Sequence, residues 1–281
     1  MGKHKKKQKK CGNPLWTLVF LAALAVFCFS GYKLIGIYLD YKTGTDEYRD
    51  LQQYTTEITK TQETPAPTKT EEPQAESEPA EPSEAEPEPL SYPTEPPLAV
   101  DFESLKAINP DVKGWLYIEA LDISYPVVQG PDNDAYLHTT YEGTSNFAGS
   151  IFLDYQNQDD FSDGNTIVYG HNMKNGRMFA PLMKFKNKEC FDKHQIIEFI
   201  TPNEKAIYHI VCVAKVKADD SWYSFIEDSG ESQYNERIKE LYSKSLYHSD
   251  YEFGYDDEFL TLSTCEYSQN DGRLILICVK S

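Results

Sequence analysis

Cys265, His171 and Arg273 are the residues of this 281-residue chain whose types and settings fit covalent chemistry. Cys265 directly follows the apolar run FLTLST (259–264) and precedes the polar stretch EYSQNDGR. A strand end that opens into a polar loop is a place where a thiolate can meet solvent and substrate. His171 lies in NTIVYGHNMKNGRMF, where a β-type run breaks at Gly170 and enters a polar loop. Its charge changes near neutral pH, which suits proton transfer. Arg273 opens RLILICVK, eight residues after Cys265. If FLTLST and RLILICVK pair through their connecting loop, Cys265 and Arg273 meet at one end of a sheet. There a guanidinium can stabilise the oxyanion formed when a thiolate attacks a carbonyl. Cys190, Cys212 and Cys278 lie in or beside apolar runs and read as small buried hydrophobes. His138, His194, His209 and His248 read as surface or strand residues. There is no C-x-x-C and no His/Cys cluster at ligand spacing, so the expectation is no metal and no cofactor.

The elements that must position these residues are mostly strands. β-rich runs recur at 114–118, 124–129, 150–155, 165–170, 195–200, 206–216, 259–264 and 273–280. Turn signals separate several of them: Gln129–Asn133, Asp163-Gly-Asn165, Thr201-Pro-Asn203 and Asn270-Asp-Gly272. Eight short strands in one domain predict a closed or nearly closed β-barrel. Two segments read as helical. Phe102–Ile108 is short, and Glu231–Leu246 places Tyr234, Ile238, Leu241 and Tyr242 near one face, with a Glu240–Lys244 pair.

Charge divides the chain into parts. The total is −18, from 45 acidic and 27 basic residues. Residues 1–40 carry +6, residues 41–100 carry −10 and residues 101–281 carry −14. So acidic a chain is a poor partner for nucleic acid. A mean hydropathy of −0.57 excludes a multi-span membrane protein, and six cysteines do not make a disulfide scaffold. Residues 1–14 form a basic tail, and 15–39 read as a transmembrane anchor: Leu15–Tyr32 holds eighteen residues without formal charge, extended beyond Lys33 by LIGIYL. The polybasic flank predicts a cytoplasmic N-terminus and an extracellular remainder. A cleaved signal peptide is the alternative; the apolar region is long for one, and no small-x-small site follows. Lys6 stands where a myristoylation signal needs Ser or Thr. Residues 40–100 read as an acidic extracytoplasmic linker. Within 61–100 lie ten of the sixteen prolines and ten glutamates against one lysine, which predicts a disordered spacer. The catalytic domain is expected over 101–281.

Together, TLSTC (261–265), YGHN (169–172) and an Arg eight positions after the Cys resemble the signature of sortases, the cysteine transpeptidases of Gram-positive cell surfaces. INPDVKGWLYI (108–118), YPVVQGPDNDAYLH (125–138) and AGSIFLDYQN (148–157) look like the class B subgroup, as does a long helical insertion at about 217–258. His171 precedes Cys265 by 94 residues, the reverse of the papain-like order. The resemblance implies a mainly β, closed eight-stranded barrel with a short N-terminal helix and a helical insertion before the Cys-bearing strand, behind a transmembrane helix and the linker.

It also implies a mechanism. Cys265 attacks the Thr carbonyl of a C-terminal sorting signal, giving a thioester. His171 protonates the departing amine and later takes a proton from the incoming one. Arg273 holds substrate or oxyanion. Ser263 positions substrate, and Thr264, Tyr169 and Asn172 are implied as substrate-binding residues beside it, Tyr169 and Asn172 flanking His171 and shaping the pocket. The partners implied are surface proteins carrying a sorting signal and, as acceptor, an amine of a peptidoglycan precursor or cross-bridge. Asp154–Asp163 reads as a solvated acidic loop rather than a calcium site. Two alternatives stand beside this one. The first is a pilus-type sortase that joins pilin subunits, disfavoured by the expected absence of a C-terminal membrane segment after RLILICVK. The second is an inactive sortase-like binding module.

Overall fold

The computed structural model describes residues 14–58, 96–226 and 230–281. The basic tail and most of the Pro/Glu-rich tract lie outside these residues. Helix α1 (Pro14–Asp50) is followed by a 3₁₀ turn and strand β1 (Thr55–Glu57), then by β2 (Leu98–Val100) and α2 (Phe102–Ile108). The strands that follow are β3 (Val112–Ile118), β4 (Ile123–Val128), β5 (Ile151–Leu153), β6 (Asn165–Tyr169), β7 (Ile196–Ile200) and β8 (Lys205–Lys217). A short helix α3 (Lys188–Lys193) precedes β7. Helix α4 (Glu231–Lys244) leads into β9 (Ser245–His248), and β10 (Phe259–Cys265) and β11 (Gly272–Lys280) complete the fold.

Eight of these strands close on themselves in the order β11-β10-β6-β5-β4-β3-β7-β8, with β8 pairing back onto β11. Closure removes open edges. All eight runs expected as strands are strands, displaced by no more than two residues at either end. The expected helix at 231–246 ends at Lys244, and Ser245–His248 pairs with β8 as β9.

Period-two alternation explains why several strands read as continuous apolar runs. In β11, Leu274, Leu276 and Cys278 face the barrel core, whereas Ile275, Ile277 and Val279 belong to a second cluster outside it. Trp222, Phe225, Tyr234 and Leu241, from the 217–258 insertion, cover that outer face. These strands are therefore buried on both sides. By the same alternation Ser263, Cys265 and Arg273 share the outer face.

The 40–100 segment is ordered at both ends, where a linker was expected throughout. Glu47, Tyr48 and Leu51 are buried against the domain. The Tyr48 hydroxyl donates to the Gly149 carbonyl at 2.8 Å, and Asn146 Nδ2 donates to the Asp40 carbonyl at 2.8 Å. Glu57 stands opposite Leu98, and the Ile58 amide donates to the Pro97 carbonyl. The physical reason is local composition: Tyr41, Tyr48, Leu51 and Tyr54 supply apolar surface that packs against the domain core. Residues 59–95, on which the spacer expectation mainly falls, are outside the described residues.

Candidate active site

Parallel pairing of β6 with β10 brings two strand ends together. Tyr169 is opposite Ser263, so the chain leaves both strands side by side, toward His171 on one and Cys265 on the other. Antiparallel pairing of β10 with β11 sets Cys265 directly opposite Arg273. All three line one cleft of about 360 Å³. A topology with three adjacent strands thus gathers residues that the sequence separates by up to 102 positions.

Backbone bonds hold the two strand ends in register. The Gly170 amide donates to the Ser263 carbonyl at 3.1 Å, and the Thr264 hydroxyl donates to the Gly170 carbonyl at 2.7 Å. Asn172 Nδ2 donates to the Cys265 carbonyl at 2.8 Å. Gly170 is required sterically: a Cβ there would lie 2.5 Å from Ile151 Cδ1 and 2.6 Å from the Phe179 ring. Asn172 and Thr264, expected among the substrate-binding residues, use their polar groups to tie the His171 turn to the Cys265 strand. Thr264 also lines the cleft; Asn172 does not.

His171 Nε2 lies 2.7 Å from the Leu137 carbonyl oxygen. A carbonyl only accepts, so Nε2 carries the hydrogen and Nδ1 is the nitrogen left to exchange a proton. The ring stacks on His138, with centroids 5.5 Å apart. Burial lowers the His171 pKa, and the nearby His138 and Arg273 lower it further, against the opposing effect of the Leu137 carbonyl. A neutral imidazole at neutral pH follows.

The walls contain residues not singled out in the sequence. Tyr223, from the insertion, shares a 2.7 Å hydrogen bond with Ser263 Oγ and stacks with Tyr169. The Tyr169 hydroxyl donates to Asp154 Oδ2 at 2.8 Å, and Asn133 Nδ2 donates to the same oxygen at 3.0 Å. Burial and the Asp154 carboxylate raise the Tyr169 pKa, so the phenol stays protonated and donates. The expectation of a solvated loop over Asp154–Asp163 is corrected here. Asp154 and Asp163 are buried and accept internal hydrogen bonds, Asp163 from Asn157 Nδ2 and the Gln158 amide. Their neighbours Asp159 and Asp160 are exposed. A carboxylate at the end of the buried run SIFLD was the available signal.

Glu266, next to Cys265, is likewise not singled out in the sequence. Its side chain is 2% exposed and takes a 2.6 Å bond from Lys186 Nζ, with Lys215 Nζ at 3.7 Å. The Ser268 amide and hydroxyl also donate to it. Burial alone would raise its pKa, but these donors outweigh burial and hold it down at about 2. Among the described residues, no group of three or more His, Cys, Asp or Glu is arranged to hold a metal ion.

The sortase-domain family model matches residues 116–281, more than half of the chain and the whole of the cleft-forming barrel after β2 and α2 apart from the start of β3. The chain belongs to the sortase family. Its relatives place this sortase in class B. It is 34% identical to sortase B of Listeria monocytogenes over 178 residues, 63% of this chain and 72% of that protein. It is 28% identical to sortase B of Staphylococcus aureus over 264 residues, covering 93% of this chain and 94% of that one. The X-ray structure of Clostridium perfringens sortase B superposes with a TM-score of 0.61 at 36% identity, covering 64% of this chain and all of that one. This sortase is accordingly a transpeptidase with a closed eight-stranded barrel. One helix among its described residues, in the N-terminal region, is long and apolar enough to cross a membrane.

Proposed function

We propose that this sortase is a membrane-anchored cysteine transpeptidase. It cleaves a C-terminal sorting signal of surface proteins and joins them to an amine of cell-wall peptidoglycan. The observation that carries this reading is the convergence of Cys265, His171 and Arg273 on one cleft at the ends of β6, β10 and β11.

The Cys265 thiol gives its proton to His171 Nδ1, the thiolate attacks the carbonyl carbon of the substrate threonine, and the carbonyl electron pair moves onto oxygen. Arg273, opposite Cys265 on β11, stabilises that oxyanion. Collapse expels the amine of the following residue, which takes a proton from His171 Nδ1. The product is a thioester on Cys265. The acceptor amine attacks the thioester carbonyl as His171 Nδ1 takes up its proton, and the second collapse returns the thiolate and leaves an amide. Ser263, held by Tyr223, and Tyr169, held by Asp154, shape the wall along which the signal lies. With α1 as anchor and its basic flank inside, the catalytic domain faces the cell exterior.

The test is peptide cleavage and transfer by Cys265→Ala and His171→Ala, with thermal melting to confirm folding. Loss of both reactions in both variants is expected; full activity in folded Cys265→Ala would overturn the assignment of the nucleophile.

A further inference from the structure

Helix α1 has a second consequence at the cleft. Its C-terminal turns dock on the lobe from Tyr136 to Ser150, and the same lobe supplies the partner of His171. Three fastenings hold α1 there. The Tyr48 hydroxyl donates to the Gly149 carbonyl at 2.8 Å and lies 3.1 Å from Ser150 Oγ, which donates to the Thr139 carbonyl. Glu47 Oε1 accepts from the Glu142 amide at 2.8 Å. Asn146 Nδ2 donates to the Asp40 carbonyl, while its Oδ1 accepts from the Ala148 amide at 2.9 Å.

The lobe transmits this to the cleft at one point. Gly149 has φ +57°, and a Cβ on it would lie 2.3 Å from the Leu137 carbonyl oxygen. The Ser150 amide donates to the Tyr136 carbonyl at 3.0 Å, fixing the two segments of the lobe against each other. That Leu137 oxygen is the one that accepts from His171 Nε2 at 2.7 Å. The path from helix to histidine therefore runs from the Tyr48 hydroxyl to the Gly149 carbonyl, across the bonded and closely packed backbones of Gly149–Ser150 and Tyr136–Leu137, to the Leu137 carbonyl and the imidazole.

We infer that Tyr48 is a positioning residue for His171: docking of the membrane-helix end sets the Leu137 carbonyl and, through it, the tautomer and tilt of the imidazole. The inference rests on the reading of His171 as the proton-transfer residue. It makes the anchoring helix part of the catalytic apparatus rather than a tether alone. A freely tethered barrel would leave the Leu137 carbonyl without its outer support.

The experiment uses the full chain in detergent micelles. Tyr48→Phe removes one hydroxyl and keeps the ring. Expected is a fall in kcat/KM of about 5- to 10-fold, carried by kcat, as for loss of one orienting hydrogen bond. The limb of the pH–rate profile that reports His171 should also move to lower pH, because the Leu137 carbonyl opposes the lowering by burial, His138 and Arg273. Asn146→Asp, which loses the donor to Asp40, should move both readouts in the same direction and serves if Tyr48→Phe does not fold. Arg49→Ala, on the exposed side of the same helix turn, should leave both unchanged. A lowered melting temperature with unchanged kcat and pH profile in the folded variants would overturn the inference and reduce Tyr48 to a stabilising contact. Full activity in His171→Ala would instead overturn the reading of the site itself.

Discussion

Replacing Glu266 by Gln removes a buried negative charge one residue from the nucleophile and keeps the shape. In the native protein the carboxylate is held at a pKa of about 2, against 4.5 for a free glutamate, because Lys186 and the Ser268 donors outweigh its burial. A depression of that size corresponds to at most about 3–4 kcal/mol of folding stability. Lys186 and Lys215 are 33% and 29% exposed and can rehydrate, which screens the pair, so about 2 kcal/mol is the expected loss at pH 7. For a domain of this size that lowers the melting temperature by roughly 4–8 °C. The sign with pH follows from a lowered folded pKa. The contribution is complete above the unfolded value of 4.5 and is lost as pH falls toward 2. Wild type and Glu266→Gln, compared by thermal melting at pH 7 and again below pH 4, should therefore converge in acid. The same variant loosens the β10–β11 connection that carries Cys265 and Arg273, so kcat should fall with it. Equal melting temperatures at pH 7, or a difference that widens in acid, would refute the reasoning.

Three further outcomes are expected. Arg273→Lys keeps the charge but loses the planar fork of donors opposite Cys265, and kcat should fall about 10- to 100-fold in a peptide-transfer assay with little change in fold. Gly170→Ala drives a methyl into Ile151 and the Phe179 ring and should cost about 1–3 kcal/mol by denaturant unfolding, with loss of activity because His171 is the next residue. His138→Ala uncovers the His171 ring and removes a neighbour that lowers its pKa, so the His171 pKa, read by NMR titration, should rise toward its ordinary value; a further fall would show that burial and His138 are not its cause.

Much of this architecture was legible in local pattern. The eight barrel strands announced themselves by apolar runs between turn residues, and α2 was found at its observed bounds. β1 and β9 are polar and short, and pair only because neighbours present an edge. They carry no signal of their own. The ordered part of residues 40–58 was hidden by averaging: four apolar side chains at helical spacing were counted with a proline- and glutamate-rich tract. At the cleft, Cys265, His171 and Arg273 were legible because each sits where a strand meets a polar loop. Leu137, Asn133, Asp154 and Tyr223 were not, since they reach the cleft from a loop and an insertion whose placement depends on the tertiary fold. Leu137 contributes a backbone oxygen, which no side-chain reading could find.

The central claim is that Cys265 forms a thioester with the sorting signal. Intact-mass and peptide-mapping mass spectrometry of the enzyme incubated with a sorting-signal peptide, without acceptor amine, tests it most directly. The account predicts an acyl adduct on Cys265, absent in Cys265→Ala and discharged by added amine; cleavage of the peptide with no adduct, or an adduct on Cys190, Cys212 or Cys278 instead, would contradict it.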